Sequence, residues 1–437
     1  MLQKINNFIN NYRGWIIINL WKNSKYVKKG DCFLVDKDNE KYVLSAIKNG
    51  CKKIITELDK EYEIETLKVD SVNEYLKRYY NFSNIKLVGI TGSNGKTTTC
   101  FLIYQMLRFL KIKSAYIGTI GFYIDDKVMD LDNTTPSIDM LYYLINVAKE
   151  NNCEIVIIEI SSHALNQGRL DGLLFDVIGV TNVSKEHLNY HKSLNNYIGC
   201  KKRLVHMTTG NKICILNKDD KYHRRFINKD NKNIFINKRT FKKNKLSLIG
   251  DFNIYNFNMA CMVIKEMGYN YIKVLDNSEI FKEPPGRMDI IKYKSNKIII
   301  DYAHSKEAII KVLKLIRKNK SNGIITIIGS SGNKDRKKRN IIGKIVTKYS
   351  NCVIFTDDNP GFENPNDITN DLKKYAKNNY IIIHNRLDAI KMGLYLLRGN
   401  MILLVLGKGH ENYQMIKGIK ISFSDKDCVL DIINHIW

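Results

Sequence analysis

The sequence predicts an α/β protein of three domains: a small N-terminal α/β domain, a central parallel-sheet ATPase domain built around a phosphate-binding loop (P-loop), and a C-terminal Rossmann-like α/β domain. Three observations predict it. From Ile85 onward, short apolar runs of strand length alternate with longer runs of helical spacing, the pattern of a parallel sheet with crossover helices. The stretch Lys86-Leu-Val-Gly-Ile-Thr-Gly-Ser-Asn-Gly-Lys-Thr-Thr-Thr99 reads as strand, glycine loop and helix start. The turn-rich Lys282-Glu-Pro-Pro-Gly286 holds two of the chain's five prolines, and the alternation restarts after it. At 437 residues the chain is too long for one ordinary core, and boundaries at 1–84, 85–284 and 285–437 follow.

Taken in order, Asp31–Val35 reads as a strand, Lys41–Asn49 as a helix and Lys53–Thr56 as a strand. Glu57–Glu65 is charged enough to be a solvated connector. Central strands are expected at 85–90, 114–120, 153–160, 176–182, 212–217 and 232–236. C-terminal strands are expected at 297–301, 324–328, 352–356, 380–383 and 402–406. Ligands of such sheets bind at the carboxyl ends of the strands. The polar clusters fall there: Thr134-Thr-Pro136, Glu159-Ile-Ser-Ser-His163 and Thr181-Asn-Val-Ser-Lys-Glu-His187 in the central part, and Asp301-Tyr-Ala-His304, Gly329–Asp335, Thr356–Pro360 and Gly407–Glu411 beyond it.

The loop itself carries nucleotide chemistry. Gly92 and Gly95 let backbone N–H groups approach phosphate oxygens, and the following helix adds the positive end of its dipole. Lys96 can reach the terminal phosphates, and the Thr97 hydroxyl is placed for Mg²⁺. The spacing is G-x-x-G-K-T, because Ile90 stands where the longer motif has its first glycine. Glu159 closes the apolar run Ile155–Ile158, where a carboxylate can hold Mg²⁺ opposite Thr97. His187, after the next strand, can face the same crevice.

Composition narrows the class. The net charge of +26 comes from 70 Lys and Arg against 44 Asp and Glu, but these are spread along a chain rich in Lys, Asn and Ile. No aromatic–basic platform accompanies them, so a nucleic-acid partner is not expected. The nine cysteines include no C-x-x-C pair and mostly lie in apolar patterns, as reduced buried thiols do. The apolar run Trp15–Trp21 is far short of the ~20 residues of a membrane span. A cytoplasmic protein without a membrane-inserted segment is expected. The residues alone thus indicate an ATP-using enzyme whose two larger domains face each other across a cleft. Kinase, ligase and ATP-driven motor remain open.

The motif set resembles the Mur ligase family. Its elements are Thr91–Thr98, Thr134-Thr-Pro136, Glu159-Ile-Ser-Ser-His-Ala-Leu-Asn-Gln-Gly-Arg169, Thr181-Asn182, His187-Leu-Asn-Tyr-His191, Gly250–Asn256, Pro285-Gly-Arg-Met288, Asp301-Tyr-Ala-His304, Asp358-Asn-Pro360 and Gly407-Lys-Gly-His-Glu411. The resemblance implies an ATP-dependent amide ligase that adds the third amino acid to UDP-MurNAc-L-Ala-D-Glu through an acyl phosphate, in peptidoglycan precursor synthesis. It implies ATP and Mg²⁺ as cofactors, small-molecule substrates as the only partners, and a monomer.

By the same resemblance, Gly92, Ser93, Asn94, Gly95, Lys96, Thr97 and Thr98 hold the ATP phosphates. Asn253 and Asn256 lie on the adenine side, and Arg287, Asp301 and His304 form the C-terminal nucleotide edge. Thr97, Glu159 and His187 serve the metal, together with Lys201 as a carbamylated lysine; Lys96, Glu159, His187 and Lys201 are the catalytic set. Ser24, Thr134, Thr135, Ser161, Gln167 and Arg169 match positions that hold the muramoyl dipeptide. Lys334, Asp358, Asn359, Gly407 and Glu411 match the pocket of the incoming amino acid.

Three positions depart from the family pattern. Members that use meso-diaminopimelate carry Asp-Asn-Pro-Arg, and here Gly361 replaces the Arg, which favours L-lysine. The family's Arg-Asp reads Lys334-Asp335, followed by Arg336. Its Asp-Ser-Arg reads Asn23-Ser24-Lys25. Two alternatives accompany this reading: a Mur-type paralogue with another acceptor, motivated by the short N-terminal domain, and more remotely a basic nucleic-acid-binding ATPase.

Overall fold

Alternate residues of the central strands are apolar on both sides, and both sides find cover. β5 (Lys86–Thr91) sits in the middle of an eight-stranded sheet with β6 (Ser114–Gly118), β7 (Gly121–Ile124), β8 (Asp126–Met129), β9 (Ile155–Glu159), β10 (Phe175–Val180), β11 (Thr208–Asn217) and β12 (Lys232–Ile236). The spatial order is β12-β11-β10-β5-β9-β6-β7-β8. Leu87, Val156, Ile158, Ile178 and Leu216 point into one core, and Val88, Ile90, Ile155, Ile157, Val177 and Ile215 into the other. The second core is closed by the helices Lys96–Phe109 and Asp251–Glu266. A sheet buried on both faces needs these continuous apolar strands.

The structure is a computed structural model that describes residues 18–82, 84–186, 188–241, 246–318, 321–333 and 336–435. The chain divides into two compact units, Met1–Lys282 and Glu283–Trp437. In the first unit a separate four-stranded parallel sheet of β1 (Leu20–Trp21), β2 (Cys32–Val35), β3 (Lys53–Thr56) and β4 (Thr66–Lys68), numbered with the central strands in chain order, shares the core of Leu87, Val156 and Ile178.

The second unit is a six-stranded sheet of β13 (Asp289–Tyr293), β14 (Asn296–Asp301), β15 (Gly323–Ile328), β16 (Cys352–Phe355), β17 (Tyr380–Ile382) and β18 (Met401–Leu406), in the order β13-β14-β18-β15-β16-β17. A hairpin of β19 (Tyr413–Ile416) and β20 (Ile419–Ser422) follows it.

The strands expected from the sequence are present to within a few residues, but the sheets are not wholly parallel. β6, β7 and β8 form an antiparallel meander, and β13 pairs antiparallel with β14. Both additions lie at sheet edges, where a hairpin needs no crossover helix. β4 immediately follows the stretch read as a connector: Thr66–Lys68 pairs with Ile54–Thr56, and Leu67 packs against the core. No helix among the described residues is long and apolar enough to cross a membrane.

One buried carboxylate fastens the first sheet. Asp31 accepts hydrogen bonds from the Trp21 indole N–H at 3.0 Å, the Asn19 side chain at 3.0 Å and the Lys28 backbone N–H at 3.0 Å. Replacing Asp31 by Ala leaves the buried indole N–H unpaired. We expect Asp31→Ala to lower stability by about 2–4 kcal/mol, because charged hydrogen bonds and orphaned donors both count. Denaturant unfolding followed by tryptophan fluorescence checks this; a loss under about 0.5 kcal/mol, the size of an ordinary surface substitution, would contradict it.

Candidate active site

The loop between β5 and its helix owes its shape to two glycines. Gly92 has φ +149° and Gly95 has φ +86°. A Cβ at Gly92 would collide with the Thr181 hydroxyl, and one at Gly95 with the Asn256 carboxamide. Gly95 is also the N-cap of the helix Lys96–Phe109 and supplies no side-chain cap. The first N–H groups of that helix are thus left for a ligand, and they carry the positive end of the dipole. The Lys96 ammonium folds over the loop, donating to the carbonyls of Gly92 and Ser93, both at 3.0 Å. Neighbouring strand ends hold the loop from outside. Asn182 receives the Asn94 N–H at 3.0 Å and donates to the Asn94 carbonyl at 2.8 Å, while the Ser93 hydroxyl meets Tyr197 Oη at 3.0 Å.

β9 pairs directly with β5, which sets Glu159 beside the loop. Glu159 is buried, and both of its oxygens are engaged. Oε1 accepts the Thr97 hydroxyl at 2.9 Å, and Oε2 accepts Tyr116 Oη at 3.2 Å and the Thr119 N–H at 3.0 Å. Burial first, then the charge of Glu159, pushes the Tyr116 phenol well up, so it stays a donor. The Glu159 carbonyl accepts the Thr135 hydroxyl at 2.7 Å, and that hydroxyl accepts the Ser161 N–H at 3.0 Å. Arg169, half-buried, donates to the Thr135 carbonyl at 2.8 Å and to Gln167 Oε1 at 2.9 Å. Thr134 meets Thr119 through their hydroxyls at 3.0 Å. Thr97, Glu159, Thr134, Thr135, Ser161, Gln167 and Arg169 thus form one connected group.

Lys201 is 1% exposed. Its ammonium donates to the Gly92 carbonyl at 2.9 Å and lies over the Tyr197 ring, 4.7 Å from its centroid. Burial, followed by the nearby Lys96 charge, holds its pKa well below the usual lysine value. Asn253 and Asn256 are buried behind the loop: Asn256 donates to Asn253 at 2.8 Å and accepts the Thr99 hydroxyl at 3.4 Å. Ser24 lies buried in the short turn Ser24–Tyr26 beside the four-stranded sheet.

In the second unit the carboxyl ends of β14, β18, β15 and β16 again collect the polar residues. Asp301 turns inward and accepts the N–H groups of Met288 at 2.8 Å and Ala303 at 2.7 Å. Burial raises its pKa, against the pull of Arg287 and those two N–H groups. The Arg287 guanidinium lies over the Tyr302 ring at 4.7 Å, and His304 Nδ1 is 3.0 Å from the Tyr302 carbonyl. A second cluster joins Asp358, Asn359 and Glu411. Asn359 donates to Glu411 at 2.9 Å, and the buried Lys408 ammonium reaches Asn359 at 3.2 Å, Glu411 at 3.1 Å and Asp358 at 3.9 Å. The buried Asp358 Oδ1 has no hydrogen-bond donor among the described residues. Gly407, next to it, has φ +110°.

His187 and Lys334 lie outside the described residues. Among those described, no group of three or more His, Cys, Asp or Glu side chains is placed to hold a metal. Sequence reasoning missed Tyr116, Thr119, Asn182 and Lys408 as site residues. Asn182 and Lys408 stood inside quoted motifs; Tyr116 was hidden in an apolar strand, and Thr119 is a loop residue recruited through its backbone.

A glycine loop with an uncapped helix, a lysine over it and a threonine–carboxylate pair beside it define an α/β nucleotide-binding enzyme of the P-loop class. Residues 90–245 match the Mur ligase middle domain, and residues 286–409 match the Mur ligase, glutamate ligase domain. The chain is 33% identical to the UDP-N-acetylmuramoyl-L-alanyl-D-glutamate--2,6-diaminopimelate ligase of Fusobacterium nucleatum, covering 89% of this chain and 87% of that protein. It is 32% identical to the Aquifex aeolicus ligase of the same name, covering 94% and 92%. A solved structure of a ligase of that name overlays with a TM-score of 0.61 at 27% identity, covering 96% and 95% of the two chains. The fold is also that of the Thermotoga maritima MurF ligase solved with ADP, at a TM-score of 0.64 and 16% identity, covering 95% and 97%. The chain belongs to the Mur ligase family, ATP-dependent enzymes that form amide bonds.

Gly95→Ala places a side chain in a left-handed conformation against Asn256 and must move the loop. A cost of about 1–2 kcal/mol for that conformation corresponds to about five- to thirtyfold in affinity. Calorimetric titration with ADP is expected to show at least that loss; an unchanged Kd would mean the loop does not cradle the nucleotide.

Proposed function

We propose that this chain adds the third amino acid to UDP-MurNAc-L-Ala-D-Glu in peptidoglycan precursor synthesis, in the cytoplasm, through an acyl phosphate. The observation that carries the reading is the continuous hydrogen-bonded path Thr97–Glu159–Thr135–Arg169. It links the phosphate loop to a guanidinium suited to grip a substrate carboxylate. A carboxylate bound there lies on the same network as the loop that holds the γ-phosphate. The relatives named for this activity cover most of the chain and support the same reaction.

In this reading Lys96 and the helix N-terminus take up charge on the transferred phosphoryl group, and Arg169 with the Thr134, Thr135 and Ser161 hydroxyls orients the acceptor. Catalysis is then mainly positioning and charge neutralisation. Thr97 Oγ1 and Glu159 Oε1 are 2.9 Å apart. That is about the edge of an oxygen octahedron with the ~2.1 Å bonds of Mg²⁺, so these two donors fit the ion. When bound, Mg²⁺ would supply further neutralisation of phosphate charge.

Asp358, Asn359 and Glu411 are assigned to the incoming amino acid's ammonium, Asp358 having an acceptor oxygen to spare. Arg287, Asp301 and His304 are assigned to the nucleotide, and Asn253 and Asn256 to holding the loop on its adenine side. Gly361 offers no cation for a distal carboxylate, which supports L-lysine; the names of the relatives support meso-diaminopimelate instead. Phosphate release measured with ATP, UDP-MurNAc-L-Ala-D-Glu and each of L-lysine, L-ornithine and meso-diaminopimelate decides. We expect L-lysine to give the highest kcat/KM. Preference for meso-diaminopimelate would overturn the lysine assignment alone, and no release with any amino acid of a broader panel would overturn the function.

Lys201 is assigned as a carbamylated lysine. Its lowered pKa supplies the neutral amine, whose nitrogen forms a bond to the carbon of CO₂ as the amine loses a proton, leaving an anionic carbamate near Lys96. Activity is expected to fall when CO₂ is stripped from the buffers and to return with bicarbonate, and Lys201→Met should be insensitive to both. The sign for stability also follows. In CO₂-free buffer the unfolded chain binds the Lys201 proton more readily, so stability rises with pH between the lowered folded pKa and 10.5. Wild type and Lys201→Met showing the same slope in that window would contradict this.

A further inference from the structure

Arg386 and Asp425 are both completely buried, and neither belongs to any sequence motif assigned above. Arg386 forks Asp425, Nε to Oδ1 at 2.7 Å and Nη2 to Oδ2 at 2.8 Å. Its remaining donors go to two backbone carbonyls: Leu406 at 2.9 Å and, more weakly, Asp357 at 3.4 Å. Leu406 ends β18 and precedes Gly407; Asp357 follows β16 and precedes Asp358. β18 and β16 are not neighbours, because β15 lies between them, so no ladder bond joins their ends. Above that gap the two loops nearly touch: a Cβ at Gly407 would stand 2.7 Å from Asp358 Oδ2.

We propose that the Arg386–Asp425 pair is a positioning device for the amino-acid pocket, which fixes the spacing between the Gly407 and Asp358 loops from beneath the sheet edge. The proposal rests on the assignment of that pocket to the incoming amino acid. Arg386 touches no reacting atom; it acts through the two carbonyls. A buried ion pair gives little net stability over well-packed apolar side chains of similar size. An apolar pair can therefore restore packing, but it offers no donor to Leu406 or Asp357.

That difference is the test. Arg386→Met alone leaves Asp425 buried and unpaired and is expected to unfold at lower temperature. Arg386→Met with Asp425→Leu is expected to regain most of the lost stability. In initial-rate ligation with UDP-MurNAc-L-Ala-D-Glu and ATP, its KM for the amino acid should rise about tenfold or more, since sub-ångström placement sets such pockets. The KM for the nucleotide acceptor should stay within about twofold, since the Thr134–Arg169 group lies in the other unit. The KM for ATP should rise less than that for the amino acid, since the displaced loop reaches the nucleotide edge at one remove, through Asp301, whose carbonyl accepts the Gly407 N–H at 3.1 Å. Arg386→Lys keeps the charge, cannot make the fork and both carbonyl bonds, and should show the same split more mildly.

An amino-acid KM equal to wild type in a folded double variant overturns the proposal. So does an equal rise in all three KM values, and so does loss of folding in every variant, which would make the pair a stability element. Absence of ligation by the unmutated protein with every amino acid of the broader panel would instead strike the assignment of function on which this rests.

Discussion

The first unit depends on one carboxylate at the end of one strand. Glu159 stands where an apolar strand emerges beside the phosphate loop, and its side chain and carbonyl receive four donors from four residues: Thr97, Tyr116, Thr119 and Thr135. A buried carboxylate is tolerated only when it is richly hydrogen-bonded. Those bonds tie the loop after β5, the strand β6 with its following turn, and the Thr134-Thr135 segment to a single point. The order β10-β5-β9-β6 makes this possible, because it brings the ends of strands distant in sequence side by side.

The second unit solves a similar problem with cations. At its carboxyl edge Lys408, Arg386 and Arg339 are all fully buried. Arg339 forks Glu363 at 2.7 and 2.8 Å and donates to the Ser331 carbonyl at 3.1 Å. Each long cation thus joins a carboxylate to a loop or strand end. Guanidinium suits the two positions where a planar fork meets a carboxylate and a backbone carbonyl together, and ammonium suits the more compact Asp358–Asn359–Glu411 cluster.

The strands were legible because their apolar runs have strand length and turn signals at both ends, and the phosphate loop because strand, glycines and Lys-Thr occur together. The edge elements were not. β7 is only four residues long and opens on Gly121, β8 carries Asp126 and Lys127, and β19 and β20 are short, half-exposed or exposed strands without an apolar run. Residue types within motifs were found, but burial was not. Lys201 stands beside Lys202 and Arg203, as an ordinary surface lysine would, yet it is buried against Gly92 while Lys202 is not. Arg386 gave no signal either, since one arginine at a helix start looks like any other. Such roles arise from contacts between residues distant in sequence, and local pattern does not encode them.

Charge in the proposed amino-acid pocket bears on what it selects. Asp358 and Glu411 bring two negative charges, and Lys408 returns one positive charge from within the protein. The net charge is that of a single carboxylate, which suits the α-ammonium of one substrate. On the loop that follows, Gly361 offers no side chain, and the arginines at 336 and 339 are already engaged by Glu363 and Asp371. Arg339 is inaccessible, and its partner Glu363 is held down to a pKa of about 2, first by that hydrogen bond, so Glu363 stays charged at neutral pH. A distal carboxylate would have to compete with Glu363 and Asp371 for a guanidinium, whereas a distal ammonium need not. The departure at Gly361 and the commitment of its neighbours therefore favour the same substrate chemistry for independent reasons.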